Sequence, residues 1–584
     1  MRKDICDNSL FHTNFANKSV LILVPHEDDE INLAGSFIRL LIKTNIEVNL
    51  VYTTNGDYHV KAERRYKEVL SSLKKLGVNS SNVYFLGYGD SYFDYDGTHI
   101  FYADQDPITT KSGKFETYGA MGIQEFAYQH RRKHSSFTRK NFLYDLRDLI
   151  KEVYADILVC TDFDQHPDHR MLSLSFDEAI GMILNEEGNQ YQPIVIKGFA
   201  YSTAYTAVQD LFRLNIISTL KPKVGITYNY DINIIDSSLY EWSKRLRFPV
   251  VHECRRVSPI LKNKLIQAML CHKSQHIVTH SENIINGDAI FWERRTDSLT
   301  HKATVITSSG DGNKVKDFGL INTRNINERI AIFDNYLWSP QENDNEKKLF
   351  FFWNDPISLR YLKIFGNIDD GSQIIRFRVT MNDGFIEEYG PLPNKGTQFE
   401  VDLGMHFGIL FLKIELLETV GNAPGIAEIE LFNDDTHKLL PSFIKAIIND
   451  NFIYNYYMLP DEKSVKLSVY KYNVESNYNI LIIKGKANIK GEEITPLSKV
   501  VILKVYIKGT DIYDIFSIEK LTKLNLFVEN SKLKIGGFTI RIFSFRMYGE
   551  RWFGYLREKG FQYVLNKLYQ KVLKIFSFRR INNG

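Results

Sequence analysis

From Lys18 to about Leu299 the chain alternates short aliphatic runs with stretches of helical periodicity, and this alternation restricts the fold more than any other feature. Residues 20–24 form an aliphatic run closed by Pro25, as a strand buried on both faces would be. Phe37, Leu40 and Leu41 then recur at helical spacing, and residues 48–52 read as the next strand. Residues 63–76 place Val69, Leu70, Leu73 and Leu76 on one stripe, and residues 83–86 follow as a strand. Residues 142–153 gather Leu143, Leu146, Leu149 and Ile150 on one face before a strand at 157–160. Strands that alternate with single helices predict an α/β domain with a largely parallel, Rossmann-like sheet.

The pattern changes after Thr300. Ser308-Ser309-Gly310-Asp311-Gly312 is turn-rich and suits a linker. Period-2 runs follow at 359–365, 375–380, 399–403, 410–416 and 427–431. In the last, Ala427, Ile429 and Leu431 point one way and Glu428 and Glu430 the other. Asn382-Asp383-Gly384 suits a hairpin turn. A β-sandwich over residues 301–435 is expected, after an α/β domain over 1–300. Residues 436–584 are expected to form a C-terminal mixed β/α segment, with strands at 465–470, 478–484 and 500–507 and a helix-like, basic end.

Composition excludes several classes. A chain of 584 residues holds two to four domains, and 44% apolar with 24% charged residues is the balance of folded protein. No apolar run approaches the ~18 residues of a membrane-spanning helix. Residues 1–19 lack the apolar stretch of a secretion signal. Cys6, Cys160, Cys254 and Cys271 are dispersed, which argues against a disulfide framework and for a reducing cytoplasm. Residues 541–584 hold ten Lys/Arg against two Glu, so the net charge of +3 resides in the tail. The body is slightly acidic, which speaks against a nucleic-acid partner.

Two motifs carry chemistry. Pro25-His26-Glu27-Asp28-Asp29-Glu30 follows the first strand directly, and Asp162-Phe163-Asp164-Gln165-His166-Pro167-Asp168-His169 follows the strand at 157–160. In an open parallel sheet, ligands collect at the carboxyl ends of strands, so two such ends converge on one point. One carboxylate and two imidazoles suit a catalytic zinc with a position left open. Zinc lowers the pKa of its water from roughly 15.7 towards 7, while a neighbouring carboxylate accepts the proton and a donor steadies the oxyanion. Taken singly, Asp28-Asp29-Glu30 also reads as a helix cap, and His166–His169 as a surface turn.

With these motifs the chain resembles the PIG-L/LmbE-like N-acetylglucosamine de-N-acetylases. Their P-H-P-D-D-E motif is matched at Pro25 to Glu30, with Glu27 in place of the middle proline, and their H-P-D-H motif at His166 to His169. The likeness continues at Thr54-Asn55-Gly56-Asp57, at Arg65 and Glu68, and at Phe85-Leu86-Gly87-Tyr88-Gly89-Asp90. It ends with His272-Lys273-Ser274-Gln275 and Phe291-Trp292-Glu293-Arg294-Arg295, and so covers most of residues 18–300. The resemblance implies that His26, Asp29 and His169 bind Zn2+, with Fe2+ or another divalent ion as an alternative. It implies Asp28 as general base, His166 as oxyanion donor or acid, and Arg65 and Asp90 as sugar-holding residues. The expected substrate is an N-acetylated sugar or glycoconjugate, which loses acetate. For Arg65 with Glu68 the plain alternative is a surface ion pair, and for Asp90 a local turn.

Trp353-Asn354-Asp355-Pro356, residues 360–364 and residues 425–429 resemble the galactose-binding-like, discoidin sandwiches, which implies a glycan partner or a structural spacer. In the tail, Phe561, Val564, Leu565, Leu568, Val572, Ile575 and Phe576 share a helical stripe beside Lys567, Lys571 and Lys574. That stripe suits either docking on the third segment or peripheral contact with an anionic membrane at its inner face. Rival readings of the whole are hydrolysis of another amide or a phosphoester, and a non-catalytic glycan-binding scaffold. Deleting residues 541–584 should abolish binding to anionic liposomes at low salt while sparing hydrolysis of a soluble substrate. Full-length protein that ignores such liposomes would identify the tail as a docked helix.

Overall fold

The computed structural model describes most of residues 15–541. Residues 1–14, 91–98, 201–241, 255–262, 276–287, 319–336, 435–442, 521–526 and 542–584 lie outside the described residues, as do shorter stretches that include 163–165. The amphipathic tail and Asp164-Gln165 are therefore not described.

Strands β1 (Ser19–Val24), β2 (Glu47–Thr54) and β3 (Val83–Tyr88) alternate with helices α1 (Asp29–Lys43) and α2 (Ala62–Leu76). Helices α3 (Phe126–Arg131) and α4 (Arg139–Val153) precede β4 (Ile157–Thr161), and α5 (Pro167–Glu187) precedes β5 (Ile194–Gly198). Further along lie β6 (Leu246–Phe248), α6 (Lys264–Met269) and β7 (Ala289–Arg294). The sheet order is β3-β2-β1-β4-β5-β7-β6. β1 to β5 pair in parallel, whereas β7 runs antiparallel to both β5 and β6.

The aliphatic runs are continuous because both faces of this sheet are covered. Val20, Ile22 and Val24 point to one core, with Phe37, Leu41, Val69 and Leu73 from α1 and α2. Leu21 and Leu23 point to the other, with Leu146 and Leu149 of α4 and Leu172 and Ile183 of α5. After β1 the chain builds outward through β2 and β3, then returns to place β4 on the other side of β1. Neighbouring strands whose connections leave in opposite directions open a crevice at their carboxyl ends.

The second unit is antiparallel. Strands β8 (Thr304–Thr307), β9 (Lys348–Phe365), β10 (Gln373–Met381), β11 (Ile386–Tyr389), β12 (Gln398–Val420) and β13 (Glu428–Phe432) form one sheet, ordered β11-β10-β12-β9-β13 with β8 also on β9. β9 and β12 pair along nearly their whole lengths. Leu349, Phe351, Leu362, Ile364, Leu412 and Ile414 from both halves of these strands meet in one core with Phe377 and Leu431, as in a sandwich. The expected hairpin at Asn382 to Gly384 joins β10 to β11, with Gly384 at a φ of 95°.

Two expectations are corrected here, and the alternation at 427–431 gains a detail. The strands expected at 399–403 and 410–416 are one strand, β12, interrupted by register shifts between Asp402 and Phe411. The expected linker at Ser308 to Gly312 follows a strand that already belongs to this sheet, and Ser308 donates to Asp344 Oδ2 at 2.6 Å, so it is a turn within the unit. Glu428 and Glu430 do not face water. Both are buried and accept from the Arg294 guanidinium at 2.7 Å, and Asp317 accepts from it at 2.9 Å. Period 2 sends their side chains away from the sandwich core, but towards β7 rather than solvent.

Beyond residue 443 the described residues form strands and turns. A four-stranded sheet orders Tyr456–Leu459, Tyr513–Lys520, Val500–Ile507 and Tyr478–Lys484, and its apolar side meets Ile444 and Leu467 of a second sheet. Among the described residues no helix is long and apolar enough to cross a membrane.

Arg294 thus fastens β7 to the sandwich by pairing with three buried carboxylates, one of which also lies 3.9 Å from Lys363 Nζ. Arg294→Ala removes the guanidinium that all three carboxylates share and should destabilise the fold by about 3–5 kcal/mol, lowering the melting temperature. A variant that melts with the wild type would show that the three acids do not depend on this guanidinium.

Candidate metal-centred active site

Four strand ends build the site. The loop after β1 supplies His26, Asp28 and Asp29, the turn after β2 supplies Asp57, the turn after β3 supplies Asp90, and the segment after β4 supplies His166, Asp168 and His169. These loops are tied together by backbone bonds. Thr54 donates through its N–H and its hydroxyl to Pro25 O, both at 3.0 Å. Asn55 N–H donates to Tyr88 O at 2.8 Å, and Asp90 N–H donates to Asp57 Oδ1 at 2.8 Å. The Asp57 carboxylate is itself fixed by the Tyr118 hydroxyl at 2.6 Å.

His26, Asp29, His166 and His169 come together as expected from their motifs. Asp29 Oδ2 lies 2.9 Å from His26 Nδ1 and 3.1 Å from His169 Nε2. The three histidines each offer a nitrogen within 4.8 Å of the others. A tetrahedral ion with ligands at 2.0–2.1 Å has ligand–ligand edges of about 3.3 Å, and the two distances from Asp29 to the imidazoles are of that size, so this donor set suits a divalent ion such as zinc. A carboxylate oxygen facing two imidazole nitrogens also requires a proton or a cation between them.

The electrostatics favour positive charge. Burial works against a charged His26, but Asp90, Asp168 and Asp29 outweigh it and raise its pKa well above the usual histidine range. Burial likewise opposes the Asp29 carboxylate, yet His169 and His26 hold its pKa well below normal. His166 differs: burial, then His26 and His169, lower its pKa well below the ordinary value, so its imidazole is neutral near pH 7. The Asp168 N–H donates to His166 Nδ1 at 3.2 Å, which leaves the proton on Nε2 and makes that nitrogen a donor.

The secondary residues also take definite places. Asp28 stands at the start of α1, but its side chain makes no capping hydrogen bond. It accepts instead from Arg65 Nη2 at 2.9 Å, and its side chain keeps 14% exposure at the mouth of the crevice. Arg65 is buried and pairs with Glu27 and Asp28, not with Glu68, which pairs with Arg64 and accepts from Ser274. The surface-pair alternative for Arg65 therefore fails. Asp90 is more than a turn residue, since its Oδ1 lies 3.6 Å from His26 Nε2. Glu27, where the family motif has proline, donates no ligand. Burial pushes its carboxyl up to about 8 against the pull of Arg65, whose Nε donates to it at 3.3 Å. Gly56, at a φ of 56°, backs this pair so closely that a Cβ would collide with both side chains.

Residue-by-residue reading passed over several contributors. Asp168 sits between the two histidines of its motif and contacts His26 Nε2 at 3.1 Å. His99, with no motif around it, reaches Asp168 at 2.8 Å. His272 braces Glu30 at 2.9 Å, which accounts for a histidine far along the chain.

The family described as PIG-L: GlcNAc-PI de-N-acetylase matches residues 21–180. No curated protein matches the chain. Among solved structures, an N,N'-diacetylchitobiose deacetylase from Pyrococcus horikoshii is 15% identical, covering 50% of this chain and 91% of its own, with a TM-score of 0.26. A deacetylase in the biosynthesis pathway of teicoplanin is 15% identical, covering 48% and 99%, at a TM-score of 0.28. The carbohydrate-module structure CpGH89CBM32-6, produced by Clostridium perfringens, is 12% identical and covers 23% of this chain and 97% of its own, at a TM-score of 0.16. The matched segment runs from β1 into α5, spanning both motifs and every strand end that enters the crevice: residues 21–180 are a PIG-L family domain.

Proposed function

We propose that the protein is a zinc-dependent hydrolase that removes the acetyl group from an N-acetylated amino sugar, releasing acetate and the free amine. The observation that carries this reading is the convergence of His26, Asp29, His166 and His169 at one crevice of a PIG-L family domain, with Asp28 adjoining Asp29 in the chain. His26, Asp29 and His169 hold the ion. When bound, zinc acidifies water and polarises the acetyl carbonyl.

The chain's own residues supply the rest. Asp28, whose side chain keeps 14% exposure, takes a proton from the attacking water, later returning it to the departing amine. Arg65, fixed by Glu27 on its far side, keeps that carboxylate oriented. Neutral His166, with its Nδ1 already accepting from the backbone, offers Nε2–H to the developing oxyanion. Asp90, whose Oδ1 lies 3.6 Å from His26 Nε2, is the residue assigned to hold the sugar, together with Arg65.

Two variants separate ligand from base. His169→Ala removes a nitrogen from the ion's shell and should strip most of the metal, measured as metal content of the purified protein. Full occupancy would remove His169 from the shell. Asp28→Asn keeps the shape but accepts no proton, so metal should remain while acetate release falls by roughly 10²-fold or more. Unchanged turnover on a panel of N-acetylated sugars would exclude Asp28 as the base.

A further inference from the structure

One buried hydrogen-bond chain leads away from the proposed metal shell to a residue outside every motif. His99 lies in the segment between β3 and α3 and is 1% exposed. Its Nδ1 accepts from the Phe101 N–H at 3.0 Å. The proton of the neutral ring therefore sits on Nε2, which lies 2.8 Å from Asp168 Oδ1. The other oxygen of that carboxylate, Oδ2, lies 3.1 Å from His26 Nε2. Asp168 is fully buried, and an ionised carboxylate accepts at both oxygens. His26 then donates through Nε2, which makes Nδ1, 2.9 Å from Asp29 Oδ2, the nitrogen turned towards the proposed metal shell.

We propose that His99 is a positioning residue: acting through Asp168, it sets the tautomer and ring orientation of His26 and so tunes the affinity of the site for its metal ion. The proposal rests on the reading of His26 as a ligand and extends it by one residue. A backbone N–H is the origin of the chain, and a backbone donor cannot change its protonation. The direction of every later bond follows from it. Carboxylates that accept from ligand histidines commonly orient them, and loss of such a partner costs about 10- to 100-fold in metal affinity. His99 is the group that keeps Asp168 in place for that task.

The test uses the full-length protein, stripped of metal and titrated with zinc against a chromophoric chelator. His99→Leu removes the donor to Asp168 and should weaken zinc binding about 10- to 100-fold. His99→Gln places an amide N–H where Nε2 stood and should recover most of that loss. Wild-type affinity in His99→Leu would overturn the role of His99 while leaving the metal site intact. Equal weakness in both variants would also overturn it, since the lost donor would then not be the cause. Wild-type protein that takes up no more zinc than His169→Ala would remove the metal reading itself, and this inference with it.

Discussion

The parallel pairing of β1 with β4, in which Leu23 lies opposite Cys160, is the contact on which the chemistry depends. It places next to each other two chain segments whose connections depart to opposite sides of the sheet. Each strand then ends in a loop that cannot fold back over its neighbour, and the crevice between them is where polar side chains converge. The backbone secures this geometry. Pro25 O is bonded to Thr54, and Asp162 N–H donates to Gly198 O. A ligand set drawn from residues more than 130 positions apart is therefore held by strand register, and the side chains add only the final orientation.

Charges inside the molecule are handled in a consistent way, with one cation shared by several acids. Arg65 serves Glu27 and Asp28, Lys197 serves Asp162 and Asp177, and Arg294 serves Asp317, Glu428 and Glu430. The three carboxylates around Arg294 have the spacing of a metal site, yet the guanidinium already supplies the positive charge. Around His26 the acids face imidazoles, which can bind a metal ion, where the Arg294 cluster holds a guanidinium, which cannot. Pairs of this kind contribute less to net stability than to rigidity, because each partner left alone is costly to bury.

How much of this was legible in the sequence depended on the range of the interaction. β1, β2, β3 and β4 were readable because a strand buried on both faces shows as an unbroken aliphatic run, and the helices between them because their apolar stripe has period 3.6. The motif residues were readable because their neighbours in sequence are their neighbours in the site. For Glu428 and Glu430 alternation reported the correct side of the strand, but it cannot report whether water or an arginine 134 or 136 positions away lies there. His99 escaped for the same reason, since its importance comes from Asp168, 69 residues distant. β12 was read as two strands because Gly404 and Gly408, both at positive φ, interrupt its pattern without ending its path.

That interruption has a mechanical meaning for the sandwich. The two halves of β12 pair with different parts of β9, and the register shifts between them fall at Asp402 to Phe411. A slip of one residue normally turns every side chain of a strand to the wrong face. Here the irregular stretch absorbs such a slip before it crosses from one half to the other. Met405 and Phe407 stand exposed between the two glycines. His406 between them ties the stretch down, through its pairing with Leu359 and its ring nitrogen 2.6 Å from the Asp383 carboxylate. The longest strand among the described residues is, in effect, two pieces of sheet held by a pinned joint.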